Sequence, residues 1–172
     1  MRKWMILLVL CLFCMPAFAE SISLDDIELF PCIGVSARKE VLDIVDEAFM
    51  KGIRGKDGGT VYLGESYASC VAVKYAHEEC EETYGWDHET VYYISLSMSG
   101  YSLNGIRVGD KAADVDAVCL EDGWVKMNEA PLNCDAGYEK TMDGVKYTLA
   151  YIIEYGTDWI NHVHVKAEHL SF

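Results

Sequence analysis

The feature that most constrains this chain is a pattern that comes round twice. Residues 30–98 run from a glycine (Gly34) and a polar residue (Ser36) into a helical pattern at Val41 and Ile44, then into strands. From Asn104 to Ala167 the order returns, with Gly109, Asp110, a helical pattern at Val115 and Val118, and strands. The closing strands share one spacing, Val91, Ile94 and Leu96 in the first copy and Ile160, Val163 and Val165 in the second. From the glycine to the first helical valine is seven residues in one copy (Gly34 to Val41) and six in the other (Gly109 to Val115). The period is longer than that of short solenoid repeats and points to duplication of one supersecondary unit. The loose repeat covers 27–103 and the clearer one 104–172.

Within each copy the elements follow from spacing. Ser36 is placed to cap a helix reaching about Lys51, with Val41, Ile44, Val45, Ala48 and Phe49 on one face and Gly52 as a stop. Asp110 can cap a shorter helix through Val115 and Val118 to about Leu120. Lys56 to Gly59 reads as a turn into a strand at 60–63. Residues 66–82 fit two periods: Val71, Val73 and Tyr75 alternate as in a strand, while Ala68, Val71, Ala72 and Tyr75 share a helix face. The strand, through Ala76 and into a Glu-rich turn, is the preferred reading. A strand at 89–98 is rich in β-branched and aromatic residues. Residues 138–142, the turn Asp143 and Gly144, and 145–155 form a hairpin, because glycine accepts the positive φ such turns need. A last strand runs over 159–167.

Alternation then assigns sides. Val145, Tyr147, Leu149, Tyr151 and Ile153 share one face with Val163, Val165 and Ala167 of the last strand. Tyr92, Ile94, Leu96 and Met98 are expected inward, with Val91, Tyr93, Ser95 and Ser97 outward. The expected fold is a two-layer α+β architecture, helices on one face of an antiparallel sheet, in two tandem related halves with the other sheet face free.

Compartment follows from the first 19 residues. Arg2 and Lys3, an apolar run from Met5 to about Met15, and Ala17-Phe18-Ala19 before Glu20 have the layout of a cleaved secretory signal. About 11 apolar residues fall short of the roughly 20 that span a bilayer. Leu10 and Phe13, not small residues, precede Cys11 and Cys14, so lipid attachment is not expected. The expected mature protein is one domain, 20–172, secreted or in the periplasm or cell envelope, with no membrane span. Loss of Arg2 and Lys3 takes the net charge from −14 to −16. That balance excludes nucleic-acid binding, which needs clustered Lys and Arg, and disfavours anionic membranes.

Five cysteines remain: Cys32, Cys70, Cys80, Cys119 and Cys134. Export permits disulfides, and an odd number leaves one thiol over. Cys119 with Cys134 has the best motive, tying a helix end to a sheet edge for ~3 kcal/mol on a loop-entropy basis. Cys70 with Cys80 is a second choice, leaving Cys32. No Cys-x-x-Cys spacing supports a redox motif or zinc knuckle.

At Leu103-Asn104-Gly105-Ile106-Arg107-Val108-Gly109-Asp110, followed by a helix, a cysteine-bearing loop, a hairpin and a closing strand, the chain resembles a known family. The pattern is similar to the unit shared by β-lactamase-inhibitory proteins and small outer-membrane assembly lipoproteins of the SmpA/OmlA type. The resemblance covers residues 103–167 well and 27–98 loosely. It implies a helix packed on an antiparallel sheet, sometimes in tandem, with a concave sheet face that binds protein. It transfers no contact residue.

Candidate chemistry is sparse. His162 and His164 project the same way from one strand and could share a metal ion, but no third ligand is legible. His77 to Glu81 lacks the second histidine of a helical zinc clamp. The acidic run from Glu78 to Glu89 lacks calcium-loop spacing. Gly64 to Ala68 misses the second glycine of a hydrolase elbow, and Gly52 to Asp57 misses phosphate-loop spacing. No enzyme class and no cofactor is supported by a motif. The expected binding surface is the free sheet face carrying Lys74, Tyr93, Lys146, Ile152, His162, His164 and Lys166, a local excess of cationic and aromatic groups. The expected function is a non-enzymatic module that binds another extracytoplasmic protein. The alternatives are a small metal-dependent hydrolase using His162 and His164, and a structural envelope protein without a discrete ligand.

Overall fold

A computed structural model describes residues 26–36, 38–48, 53–57, 60–66, 68–76, 86–87 and 89–170. The expected signal segment, Cys80, the run around His77 to Glu82 and the turn at Gly58 and Gly59 lie outside the described residues.

The element order is β1 (Ile27–Glu28), a 3-10 turn (Phe30–Cys32), α1 (Arg38–Ala48), β2 (Ile53–Asp57), β3 (Thr60–Ser66), β4 (Ser69–Tyr75), β5 (Val91–Leu96) and β6 (Tyr101–Ser102). It continues with α2 (Ala112–Glu121), β7 (Val125–Lys126), β8 (Ala136–Met142), β9 (Val145–Ile153) and β10 (Ile160–His169). Among the described residues the main sheet has eight strands, ordered β2-β3-β4-β5-β10-β9-β8-β7 and antiparallel throughout. Each helix is therefore followed by four strands of this sheet in sequence order, and the runs meet where β5 lies beside β10. The ambiguous segment resolves as the strand β4. No helix among the described residues is long and apolar enough to cross a membrane.

Both helices lie on one side of the sheet. Val41 and Val45 of α1 and Val115 and Cys119 of α2 are buried with Val71, Val73, Ile94, Leu96, Leu149, Val163 and Val165. On α2 the inward stripe is Val115 and Cys119, one helical turn apart; Val118, expected inward, is 43% exposed. Asp110 does not cap α2. Its carboxylate instead accepts from Arg107 N (2.9 Å) and pairs with Arg107 Nε (3.4 Å), closing the preceding turn.

One carboxylate fastens α2 to the sheet. Asp116 Oδ1 accepts from the hydroxyls of Tyr138 and Tyr151 (2.7 Å for Tyr151), and Oδ2 accepts from Lys126 Nζ at 2.6 Å. Burial tends to raise the Asp116 pKa, but the hydrogen bonds from Lys126, Tyr138 and Tyr151 outweigh it and hold it below the ordinary value. Both tyrosines are buried in the core, so these bonds satisfy hydroxyls that water cannot reach.

The two closing strands carry matching irregularities. Lys74 pairs with Tyr93 and Tyr75 with Val91, so Tyr92 is an extra residue in β5. Ile153 pairs with Ile160 and Ile152 with His162, so Asn161 is an extra residue in β10. The bulge reverses the expected side of Val91, which is fully buried opposite Tyr75. The backbone around each bulge repeats as well. Gly34 N donates to Val91 O and Gly109 N to Ile160 O, each at 2.7 Å. Val91 N donates to Ser36 O, and Ile160 N to Asp110 O. Arg38 N donates to Glu89 O, and Ala112 N to Asp158 O. Gly34 and Gly109 both have positive φ, 81° and 97°, which lets the chain turn back onto its own closing strand.

Candidate functional site

Register places all seven expected surface residues on the sheet face away from the helices. One row across the sheet reads Tyr62, Ala72, Ser95, His164, Ala150, Gly137; the next reads Thr60, Lys74, Tyr93, Lys166, Thr148, Glu139. Lys146 stands opposite Glu168 and Thr141 on the same face, and Ile152 opposite His162.

That face is not bare, contrary to the sequence expectation. Ala150 is fully buried and Ser95 nearly so, although both point away from the helices. The segment 127–135 folds over the β8 end of the face. Gly137 makes room for it: a Cβ there would stand 2.5 Å from Pro131 Cδ and 3.1 Å from Met127 Sδ. This loop also settles the expected disulfide. Cys134 lies with the loop on the sheet face opposite the helices, while Cys119 is buried beneath α2, and both are free thiols. The sheet stands between them, so Cys119 and Cys134 do not pair.

Beyond the loop a hollow of about 610 Å³ opens over β3, β4 and β5. It forms because Ala72 and Ser95 are small while Tyr62, Lys74, Tyr93 and His162 around them are large. Four of the seven expected residues, Lys74, Tyr93, Ile152 and His162, line it. Lys74 Nζ stands 4.8 Å above the Tyr93 ring, and the His164 ring lies 5.4 Å from Tyr93 and 6.0 Å from His162. Ser95 Oγ and His162 Nε2 share a hydrogen bond of 2.8 Å. His164 Nδ1 is buried without a hydrogen-bond partner.

The electrostatics follow from burial. It lowers the His162 pKa, and it is the largest cause, ahead of His162 and Lys74, holding His164 at about 4. Both imidazoles are neutral at pH 7, which leaves Lys74 as the cation of the hollow. Lys146 and Lys166 are further along the face and are paired, Lys146 with Glu139 at 2.6 Å and Lys166 with Glu168.

Sequence reasoning missed Tyr62, Thr60 and Asn161 as lining residues. Thr60 and Tyr62 carry a signal, since they alternate with Val61 and Leu63 in a strand already legible. Asn161 carries none, because the bulge in β10 brings it onto the face beside His162.

Among the described residues no group of three His, Cys, Asp or Glu side chains converges to hold a metal. Burial raises the thiol pKa of Cys32, of Cys134 and, to about 12, of Cys119. A nucleophilic cysteine needs the opposite shift.

No protein-family model matches the chain, and no curated protein matches it. Among solved structures it is similar to an extracellular protein containing an SCP domain from Bacillus anthracis str. Ames, with a TM-score of 0.47 and 9% identity. The match covers 83% of this chain and 46% of that one, so the chain spans about half that protein's length. It is also similar to a DUF4309 family protein from Bacillus subtilis subsp. subtilis str. 168, with a TM-score of 0.41, 18% identity, and 79% and 81% of the two chains covered. Neither likeness is close enough to carry an argument about fold or function.

Proposed function

We propose that this protein is a secreted or envelope-associated, non-enzymatic module that binds another extracytoplasmic protein through the sheet face opposite its helices. The observation that carries this reading is the register, which gathers Lys74, Tyr93, Lys146, Ile152, His162, His164 and Lys166 on that face in a chain of net charge −14. Aromatic and long cationic side chains around small ones give a partner both relief and anchors. Export rests on the layout of residues 1–19.

The module is read as two halves related by duplication. The matching bulges at Tyr92 and Asn161, and the repeated bonds from Gly34 and Gly109 to the closing strands, support this. Helix-then-four-strands, taken twice and joined edge to edge, also suits the resemblance to β-lactamase-inhibitory proteins and SmpA/OmlA-type units.

Photo-crosslinking tests the face. A photoreactive side chain at Tyr93 or Lys166 is expected to give one adduct of defined mass from the producing cell's extracytoplasmic fraction. The same group at Asp114 or Val118, on the outer side of α2, is expected to give none. Excess unlabelled protein should compete, and its Tyr93→Ala variant should compete at least tenfold less well. Equal adducts from both faces, or none from the sheet, would sink the reading.

A further inference from the structure

The hollow over β3, β4 and β5 differs in charge from the molecule that surrounds it. The chain has 28 acidic and 14 basic residues, yet among the described residues no Asp or Glu lines this space. Among the described residues Lys74 is its one charged lining residue at neutral pH and no carboxylate pairs with it; its ammonium rests on a ring face instead. A cation kept without a counter-ion in so acidic a protein is poised to accept a negative charge. Around it, Tyr62, Tyr93 and His162 offer flat rings, Ala72 and Ile152 an apolar floor, and Asn161 an amide. The volume of about 610 Å³ suits a small molecule, whose sites run roughly 300–1,000 Å³.

The polar groups narrow the ligand further. One ammonium, no guanidinium and strand backbone already engaged in its ladder suit a single negative charge rather than a phosphate. The ring-lined walls suit a flat apolar body.

We propose that this hollow binds a small aromatic carboxylate, its carboxylate on Lys74 Nζ and its ring between Tyr62 and Tyr93 over Ala72. The hollow shares Lys74, Tyr93, Ile152 and His162 with the proposed protein-binding face, but its test uses no protein partner, so either reading can fail without the other.

The test is a titration of the full-length folded protein, followed by the NMR signals of His162 and of the tyrosine rings, with phenylacetate, uncharged phenylacetamide and acetate as probes. Phenylacetate is expected to produce saturable shifts centred on the hollow, with a dissociation constant of roughly millimolar or tighter for a ligand of this size. Phenylacetamide and acetate should each bind at least tenfold more weakly. Lys74→Gln should weaken phenylacetate at least tenfold and leave phenylacetamide unchanged, while Lys74→Arg retains binding. Ala72→Met, which fills the floor, should abolish the phenylacetate shifts and serves as the second variant if Lys74→Gln does not fold. The proposal is overturned if phenylacetate gives no saturable shift, if acid and amide bind equally, or if the shifts survive both Lys74→Gln and Ala72→Met.

Discussion

Asp116 shows how one side chain can decide whether an element stays docked. Its carboxylate gathers Tyr138, Tyr151 and Lys126, and two of those donors reach it from inside the core. Asp116→Ala leaves two buried hydroxyls without their acceptor, and we expect a loss of about 2 kcal/mol in urea unfolding at pH 7. Tyr138→Phe, which removes donor and demand together, should cost less. The pH dependence has a definite sign. The folded pKa lies below the ordinary 3.8, so the stabilisation is complete above that value and is lost as pH falls through the lower folded one. The gap between wild type and Asp116→Asn should therefore be level from neutral pH down to about 5 and shrink below 3.8. A gap that widens on acidification would contradict the assignment.

At the scale of elements, what the sequence could and could not reveal divides along one physical line. Period-2 alternation in 145–153 and 162–169 names the buried side because every residue there sits in a regular ladder. The hairpin at Asp143 and Gly144 is legible because both residues take positive φ, 51° and 80°, as the tight turn demands. Bulges are another matter. Tyr92 and Asn161 look like ordinary strand residues, and only pairing partners on a neighbouring strand reveal the extra residue, which is why Val91 is expected on the wrong side and Asn161 is not expected in the site. Strand β2 is a five-residue edge whose sequence, Ile53-Arg54-Gly55-Lys56-Asp57, has no apolar alternation to mark it. The loop 127–135 was invisible for a related reason, since its seat depends on what Gly137 lacks. Gly137→Ala should therefore lift this loop rather than unfold the sheet. We expect alkylation of Cys134 to accelerate about tenfold while the unfolding free energy falls by only about 1–2 kcal/mol, within the range for overpacking. Unchanged alkylation would mean that Pro131 yields and the loop stays seated.

Over the whole molecule, the joint between β5 and β10 governs cooperativity. Leu96 pairs with Val163 and Ile94 with Val165, and all four are buried in a single core that spans both runs of strands. Trp86 precedes β5 yet donates from Nε1 to Ala167 O of β10, a further tie across the joint. Trp124 follows α2 and lies beside Phe30. With Trp159 replaced by Phe in both, Trp→Phe variants that keep either Trp86 or Trp124 as the reporter should unfold at the same urea midpoint, as one two-state transition. Separate midpoints would show that each run of strands holds its own core.

The register at that joint is reciprocal: each strand presents to the other the same ladder positions it receives. An edge of this kind is self-complementary, as in isologous contacts between identical subunits. On the proposed duplication, the chain amounts to a symmetric pair whose two members share one backbone, and the covalent tie removes the concentration dependence such a pair would otherwise have. A β10 stripped of β5 would find its best substitute in another β10, so a chain nicked and emptied of its first run should exchange strands with its neighbours rather than persist alone.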